Sequence, residues 1–65
     1  MDFAKNLRRI RKMRHMTIEQ LGEKSGISSS AIEKYELGLS DPNLPRLIWL
    51  AEALNTTVAV LIGEI

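Results

Sequence analysis

The chain has 65 residues, 45% of them hydrophobic and 26% charged, with a formal net charge of +1, one histidine and no cysteine. This composition excludes a disordered chain, a disulfide-stabilised fold and a zinc site, and it predicts no metal and no cofactor. No apolar run approaches the roughly 20 residues that cross a bilayer, so we expect one cytoplasmic domain spanning residues 1–65, without a membrane partner.

The first predicted helix spans about Phe3–Arg14 and is amphipathic and basic. Leu7 and Ile10 recur at the spacing of one helical face, and Lys and Arg fill much of the remainder. The first 35 residues carry eight Lys and Arg against four Asp and Glu, whereas the rest carry one against four. Because affinity for nucleic acid depends on clustered cations, this separation favours a DNA-facing side and a partner-facing side, although a merely soluble basic face fits the helix equally well.

Two short helices joined by a tight turn are predicted next. Thr17 is placed to cap a helix over about Ile18–Lys24, and Gln20 completes a capping-box pattern. Gly26 tolerates a positive φ and is expected to end this helix. Because such a turn sets two helices at a steep angle, the pair predicts a helix-turn-helix motif over about Thr17–Leu37.

The third predicted helix, Ser29–Glu36, has two different faces. The face expected to be buried carries Ala31, Ile32 and Tyr35. The opposite face, which begins at the expected N-cap, carries Ser28, Ser29, Ser30, Glu33 and Lys34. Short polar side chains can approach base edges in a major groove about 12 Å wide, which favours DNA binding by this face. Ordinary capping and solvation are the alternative for the serines, and for Glu33 a cytosine contact and a solvated surface position fit equally.

The fourth predicted helix begins after Asn43, its expected N-cap, and runs to about Leu54. Pro42 indicates a loop before it, and Pro45 is tolerated in the first turn, where a missing N–H costs little. The expected buried stripe is Leu44, Leu47, Ile48, Ala51 and Leu54. Trp49 falls outside this stripe, so it either contributes to a dimer interface or lies flat over a thin core.

A last short helix is predicted over Val58–Ile62, capped by Thr56 or Thr57 and ended by Gly63. Together with Trp49, its apolar side chains exceed what a small core needs. The sequence therefore predicts a homodimer interface in the C-terminal half. The residues assigned to this interface are Trp49, Val58, Val60, Leu61 and Ile62.

Several short motifs follow one another along most of the chain. They are Leu7-Arg8-Arg9-Ile10-Arg11, Met16-Thr17, Glu19-Gln20-Leu21, Ser25-Gly26-Ile27-Ser28, the stretch from Ile32 to Gly38, Asp41-Pro42-Asn43-Leu44, the stretch from Leu50 to Leu54, and Leu61-Ile62-Gly63. In their order and spacing the sequence resembles the helix-turn-helix domains of phage Cro and lambda-type repressors, also called xenobiotic-response-element-type regulators. Ile18 and Leu39 depart from the family, which usually has a polar residue at the first position and frequently a basic one at the second.

The resemblance implies a compact all-α bundle of five helices that binds double-stranded operator DNA as a dimer, on two half-sites about one helical turn apart. The third helix would then be the recognition helix. The residues implied at the bases are Ser28, Ser29, Ser30 and Lys34. The residues implied at phosphates are Thr17, Ser40 and Asn43, and Arg8, Arg9 and Lys12 on the first helix are further candidates. The resemblance also suggests an ion pair between Arg11 and Glu36.

We expect no enzymatic function. His15, the one histidine, has no nucleophile and orienting group with which to form a catalytic set, and the sequence has no glycine-rich phosphate loop. We therefore predict a bacterial or phage transcriptional regulator, expected to be a repressor. The alternative is an antitoxin-like or regulatory protein-interaction module on the same fold with weak DNA binding, because the third helix lacks the long Arg, Asn or Gln side chains that commonly read bases.

Overall fold

A computed structural model of the protein describes residues 2–64, which form five α-helices and no strand. The helices are α1 (Phe3–Met13), α2 (Ile18–Ser25), α3 (Ser29–Glu36), α4 (Leu44–Ala53) and α5 (Val58–Leu61). The predicted all-α, five-helix architecture is confirmed, and each helix ends within one residue of its predicted end. Met1 and Ile65, at the ends of the predicted domain, lie outside the described residues. None of the helices in residues 2–64 has the length and apolar character needed to cross a bilayer.

Side-chain caps begin the last four helices, as the sequence predicts. Thr17 Oγ1 accepts from the Gln20 N–H at 3.0 Å, and Gln20 Oε1 accepts from the Thr17 N–H at 2.8 Å, so the capping box is complete. Ser28, Asn43 and Thr57 cap α3, α4 and α5. Each cap pairs a backbone N–H that the helix leaves free, which stabilises the helix by about 1 kcal/mol.

The five helices share one core. α1 packs on α3 and α5, α2 packs on α3 and α4, and α4 contacts α5. The largest fully buried side chains are Leu7, Leu21, Ile32, Leu50, Leu54 and Leu61. Because every helix contributes at least one of them, α2 and α3 are fixed relative to the rest of the domain.

The predicted buried stripe of α4 is partly wrong. Leu44 and Ile48 are 62% and 43% exposed, whereas Leu50 and Ala53, which the stripe omits, are buried. Nearly every position of α4 is apolar, so its sequence has no polar face that would fix the helical period. Contacts with α2 and α5 determine the rotation of the helix instead. They leave an apolar edge of α4 at the surface.

The assignment of Leu61 to a dimer interface is also wrong. Its side chain is fully buried inside the domain, and its carbonyl accepts a hydrogen bond from Asn6 Nδ2 at 3.2 Å. Leu61 therefore belongs to the core that joins α5 to α1. α5 is only one turn long, and the other apolar residues in and after it are half-buried and pack partly against that core. They are Val58, Val60 and Ile62.

Two arginines connect helices that are distant in sequence. Arg11 donates to the Glu36 carboxylate from Nε at 2.7 Å and from Nη2 at 3.0 Å, and its Nη1 donates to the Met16 carbonyl at 2.8 Å. This confirms the ion pair that the resemblance suggests, and the hydrogen bond to Glu36 raises the pKa of Arg11. Arg14 Nε donates to the Leu54 carbonyl at 2.8 Å, which caps the C-terminus of α4.

Candidate nucleic-acid interface

The turn between α2 and α3 is closely packed. Gly26 ends α2 with a φ of 75°, a left-handed conformation that glycine adopts at low cost. A Cβ atom on Gly22 would lie 2.8 Å from the Ile27 carbonyl oxygen, so the absence of a side chain allows this approach. Ile27 is buried, and its N–H donates to Ser25 Oγ at 3.3 Å. α3 is therefore held against α2 from its first residues. The sequence pattern identified Gly26 but gave no sign of the contact at Gly22.

The outer face of α3 is polar. Ser30, Glu33 and Lys34 are exposed, and Ser30 and Lys34 lie one turn apart on the same ridge. Ser29 is half-buried because its backbone lies against α2. Ala31, expected among the buried residues, is half-buried at the edge of the core. The ridge of Ser30 and Lys34 therefore lies on the outer face of α3, away from the core.

Most of the predicted cap and loop residues at the interface lie at helix N-termini. Thr17, Ser28 and Asn43 are exposed N-caps, and Ser40 is exposed in the connection between α3 and α4. In each cap the side-chain oxygen accepts a backbone N–H, while the hydroxyl or amide hydrogens remain as donors. The N-terminus of a helix carries partial positive charge, which attracts phosphate oxygens. These positions therefore have the chemistry that a phosphate contact needs.

The three basic candidates of α1 are all exposed, and they lie on two sides of the helix. Arg8 lies one turn before Arg11, whose guanidinium reaches Glu36 of α3, and Lys12 follows Arg8 by one turn. Arg9 lies on the other side, where its Nη2 contacts Asn6 Oδ1 at 3.5 Å. Asn6 is in turn hydrogen-bonded to α5. Arg8 is thus on the side of α1 that reaches the recognition helix, and Arg9 is on the side that reaches α5.

A contact between α4 and α3 was not apparent from the sequence. Tyr35 is buried, and Arg46 Nη1 donates to its hydroxyl oxygen at 2.7 Å. The two residues are 11 positions apart and belong to different helices. Sequence reasoning placed Tyr35 in the core and gave Arg46 no role, because a hydrogen bond between helices leaves no local pattern in the sequence.

A second surface, on α4 and α5, is apolar. Its residues, together called the α4–α5 patch, are Leu44, Ile48, Trp49, Val58, Val60 and Ile62. Ile48 and Trp49 are 43% and 46% exposed. Leu47, the neighbour of Ile48, borders a cleft with Ile62 of α5, whereas Trp49 borders a cleft with Lys24 of α2. Leu47 therefore lies on the α5 side of α4, and Trp49 lies on the α2 side.

Known proteins share this sequence pattern. The family model described as Helix-turn-helix matches residues 7–61. The chain is 36% identical over 61 residues to the HTH-type transcriptional regulator YobD of Bacillus subtilis (strain 168). The match covers 94% of this chain and 54% of YobD. The chain is also 32% identical over 63 residues to the HTH-type transcriptional activator BcrR of Enterococcus faecalis. That match covers 97% of this chain and 31% of BcrR. The chain thus spans about half the length of YobD and about a third of that of BcrR.

The fold is also similar to a solved structure. The restriction-modification controller protein C.AhdI from Aeromonas hydrophila superposes with a TM-score of 0.88 at 29% identity, and the match covers 91% of this chain and 89% of that chain. The sequence match and the fold agree from α1 to α5 and confirm the resemblance to Cro and lambda-type repressor domains. This chain therefore belongs to the helix-turn-helix family.

Proposed function

We propose that this domain binds double-stranded DNA with sequence preference and regulates transcription as a repressor that occupies an operator. The observation that carries the proposal is the exposed polar ridge of Ser30 and Lys34 on α3, a helix that α2 holds closely at Gly22. An α-helix fits the major groove, and short side chains let it come close to the base edges. The names of YobD, a transcriptional regulator, and BcrR, a transcriptional activator, support a role in regulating transcription. Repression by occupancy needs no chemical step, so we assign no catalytic residue.

Base contacts and backbone contacts are assigned to different parts of the interface. The residues assigned to the bases are Ser28, Ser29, Ser30 and Lys34. The residues assigned to the DNA backbone are Thr17, Ser40 and Asn43. Backbone contacts fix the register of the protein on the duplex, and base contacts read the sequence. Ile18 and Leu39 offer no side-chain donor, so more of the affinity for the DNA backbone falls to the cations of α1.

Among those cations, we assign phosphate contacts to Arg8 and Lys12, and Arg9 is the third candidate. Arg8→Ala is expected to weaken binding to any duplex and to lower the magnitude of the salt slope by about 0.9, the contribution of one phosphate contact. The measurement is a fluorescence-anisotropy titration of a random-sequence duplex at several salt concentrations. Arg9→Ala is the comparison variant, because it removes the same side chain from the side of α1 that reaches α5, and it should lower the slope less. A slope that Arg8→Ala leaves unchanged, or that Arg9→Ala lowers more, would contradict the assignment.

The proposed repressor acts as a homodimer formed through the α4–α5 patch. A 65-residue domain without disulfides gains stability when such a patch is buried against a second copy. A dimer also raises sequence preference, because a recognition face built mainly from serines makes few strong base contacts in each subunit. A protein that acts on bacterial or phage DNA in this way works in the cytoplasm.

The exposed Trp49 also supports a second candidate function. An antitoxin-like or regulatory module would use the same patch to bind a different protein, and its DNA binding would be weak. Selection of duplexes from a random pool distinguishes the two functions. Enrichment of one sequence by the wild-type domain favours the repressor, whereas weak binding without enrichment favours the interaction module.

A further inference from the structure

The last turn of the recognition helix is held from two sides. Arg11 of α1 pairs with Glu36, and Arg46 of α4 donates to the hydroxyl of Tyr35, the preceding residue. The second contact joins α3 and α4, which make their main contacts with other helices. α3 packs on α1 and α2, and α4 packs on α2 and α5. The Arg46–Tyr35 hydrogen bond is therefore a direct side-chain link between α4 and the recognition helix.

Arg46 also contacts the segment 40–43, which is assigned to the DNA backbone. Its N–H donates to Asn43 Oδ1 at 3.0 Å in the cap of α4, and Ser40 lies three residues before Asn43. The same residue thus contacts both the N-terminus of α4 and the last turn of α3. Lys34 directly precedes Tyr35, so a rotation of that turn would move the Lys34 ammonium group relative to the bases.

We propose that Arg46 is a positioning residue that couples the backbone-contacting segment 40–43 to base reading by α3, through the Tyr35 hydroxyl. The inference rests on the proposed function. Tyr35 is 4% exposed, and a buried hydroxyl needs a hydrogen-bond partner to stay in place. A guanidinium is planar and always charged, so it supplies that partner in a fixed direction. When phosphates hold the start of α4, Arg46 transmits this position to α3 and sets where Lys34 meets the DNA.

The test compares Tyr35→Phe, Arg46→Met and the double variant. Tyr35→Phe removes one oxygen atom and keeps the ring in the core. Affinity is measured for a duplex selected by the wild type and for a random-sequence duplex, each over a range of salt concentrations. All three variants are expected to bind the selected duplex about 10-fold more weakly, the effect of losing one hydrogen bond to a charged group. Affinity for the random-sequence duplex and the salt slope should stay unchanged.

The double variant decides whether the two residues act through one bond. If they do, it binds the selected duplex no more weakly than either single variant. If the affinity losses of the two single variants add up in the double variant, the proposal is overturned. It is also overturned if Tyr35→Phe prefers the selected duplex over the random-sequence duplex as strongly as the wild type does. A direct phosphate contact by Arg46 would also overturn it, and Arg46→Met alone would then lower the salt slope by about 0.9. Thermal unfolding of each variant verifies that it is folded at the temperature of the binding assay. A wild type that binds all duplexes equally well would contradict the proposed function instead. Failure of the proposed function is thus distinct from failure of the positioning role of Arg46.

Discussion

Glu36→Leu is expected to lower the free energy of unfolding by about 3 kcal/mol, because it leaves the buried Arg11 guanidinium without its counter-ion. The side chains of Arg11 and Glu36 are 10% and 6% exposed, and two hydrogen bonds join them. For a domain of this size a loss of about 3 kcal/mol lowers Tm by roughly 12 to 24 °C. Urea and thermal denaturation followed by circular dichroism measure both quantities.

The controls separate the unpaired charge from the loss of contacts. Arg11→Met should also destabilise strongly, whereas the double variant Arg11→Met with Glu36→Leu should regain part of the loss, because an apolar pair buries no charge. Arg8→Met removes an exposed arginine from the same helix and should change stability by less than about 0.5 kcal/mol. A loss of under about 1 kcal/mol in Glu36→Leu would show that the pair does not stabilise the fold. Since the pKa of Arg11 is raised, the stability that its charge contributes is present at neutral pH and is lost as the pH rises through that pKa.

Disruption of the α4–α5 patch is expected to have the largest effect on operator binding. Sedimentation of the wild type should show a monomer–dimer equilibrium that depends on concentration. Ile48→Glu with Trp49→Ala should raise the dimer dissociation constant by at least about 30-fold, because it removes two exposed apolar side chains of the patch and adds a charge. Operator affinity should fall with it, since a monomer occupies only one half-site.

Met13→Glu is the matched control for this experiment. Met13 is an apolar residue of α1 that is 60% exposed and lies outside the patch, so its replacement adds the same charge. It should leave the dimer unchanged. Ile48 is a better site than Val60, because Val60 packs partly against the core and a charge there could unfold the domain. A double variant that sediments as the wild type does, or a wild type that is monomeric at high concentration, would contradict the dimer model.

The short helices show what the sequence could predict. Ser28 marks the start of α3 and Gly26 the end of α2, because capping and positive φ are local properties of a few neighbouring residues. These local signals were sufficient to predict the helix-turn-helix. The Arg11–Glu36 pair was suggested by the resemblance to a family, since the two residues are 25 positions apart.

The fourth helix shows what the sequence could not predict. Its side chains are apolar on nearly every side, so periodicity placed Leu44 and Ile48 in the core, where the structure has Leu50 and Ala53. Tertiary packing decided between these rotations. Apart from the Arg11–Glu36 pair, the hydrogen bonds between helices were likewise missed, because the partner of a side chain such as Arg46 depends on how the helices pack.

Selection of bound duplexes from a random pool, by the wild type and by Ser30→Ala and Lys34→Ala, tests the central claim most directly. The wild type should enrich a two-fold symmetric sequence whose half-sites are about 10 base pairs apart. Each variant should lose preference at particular positions, by about 1 to 3 kcal/mol for a good base contact, and keep it elsewhere. No enriched sequence with the wild type, or the same sequence and preference with all three folded proteins, would contradict base reading by α3.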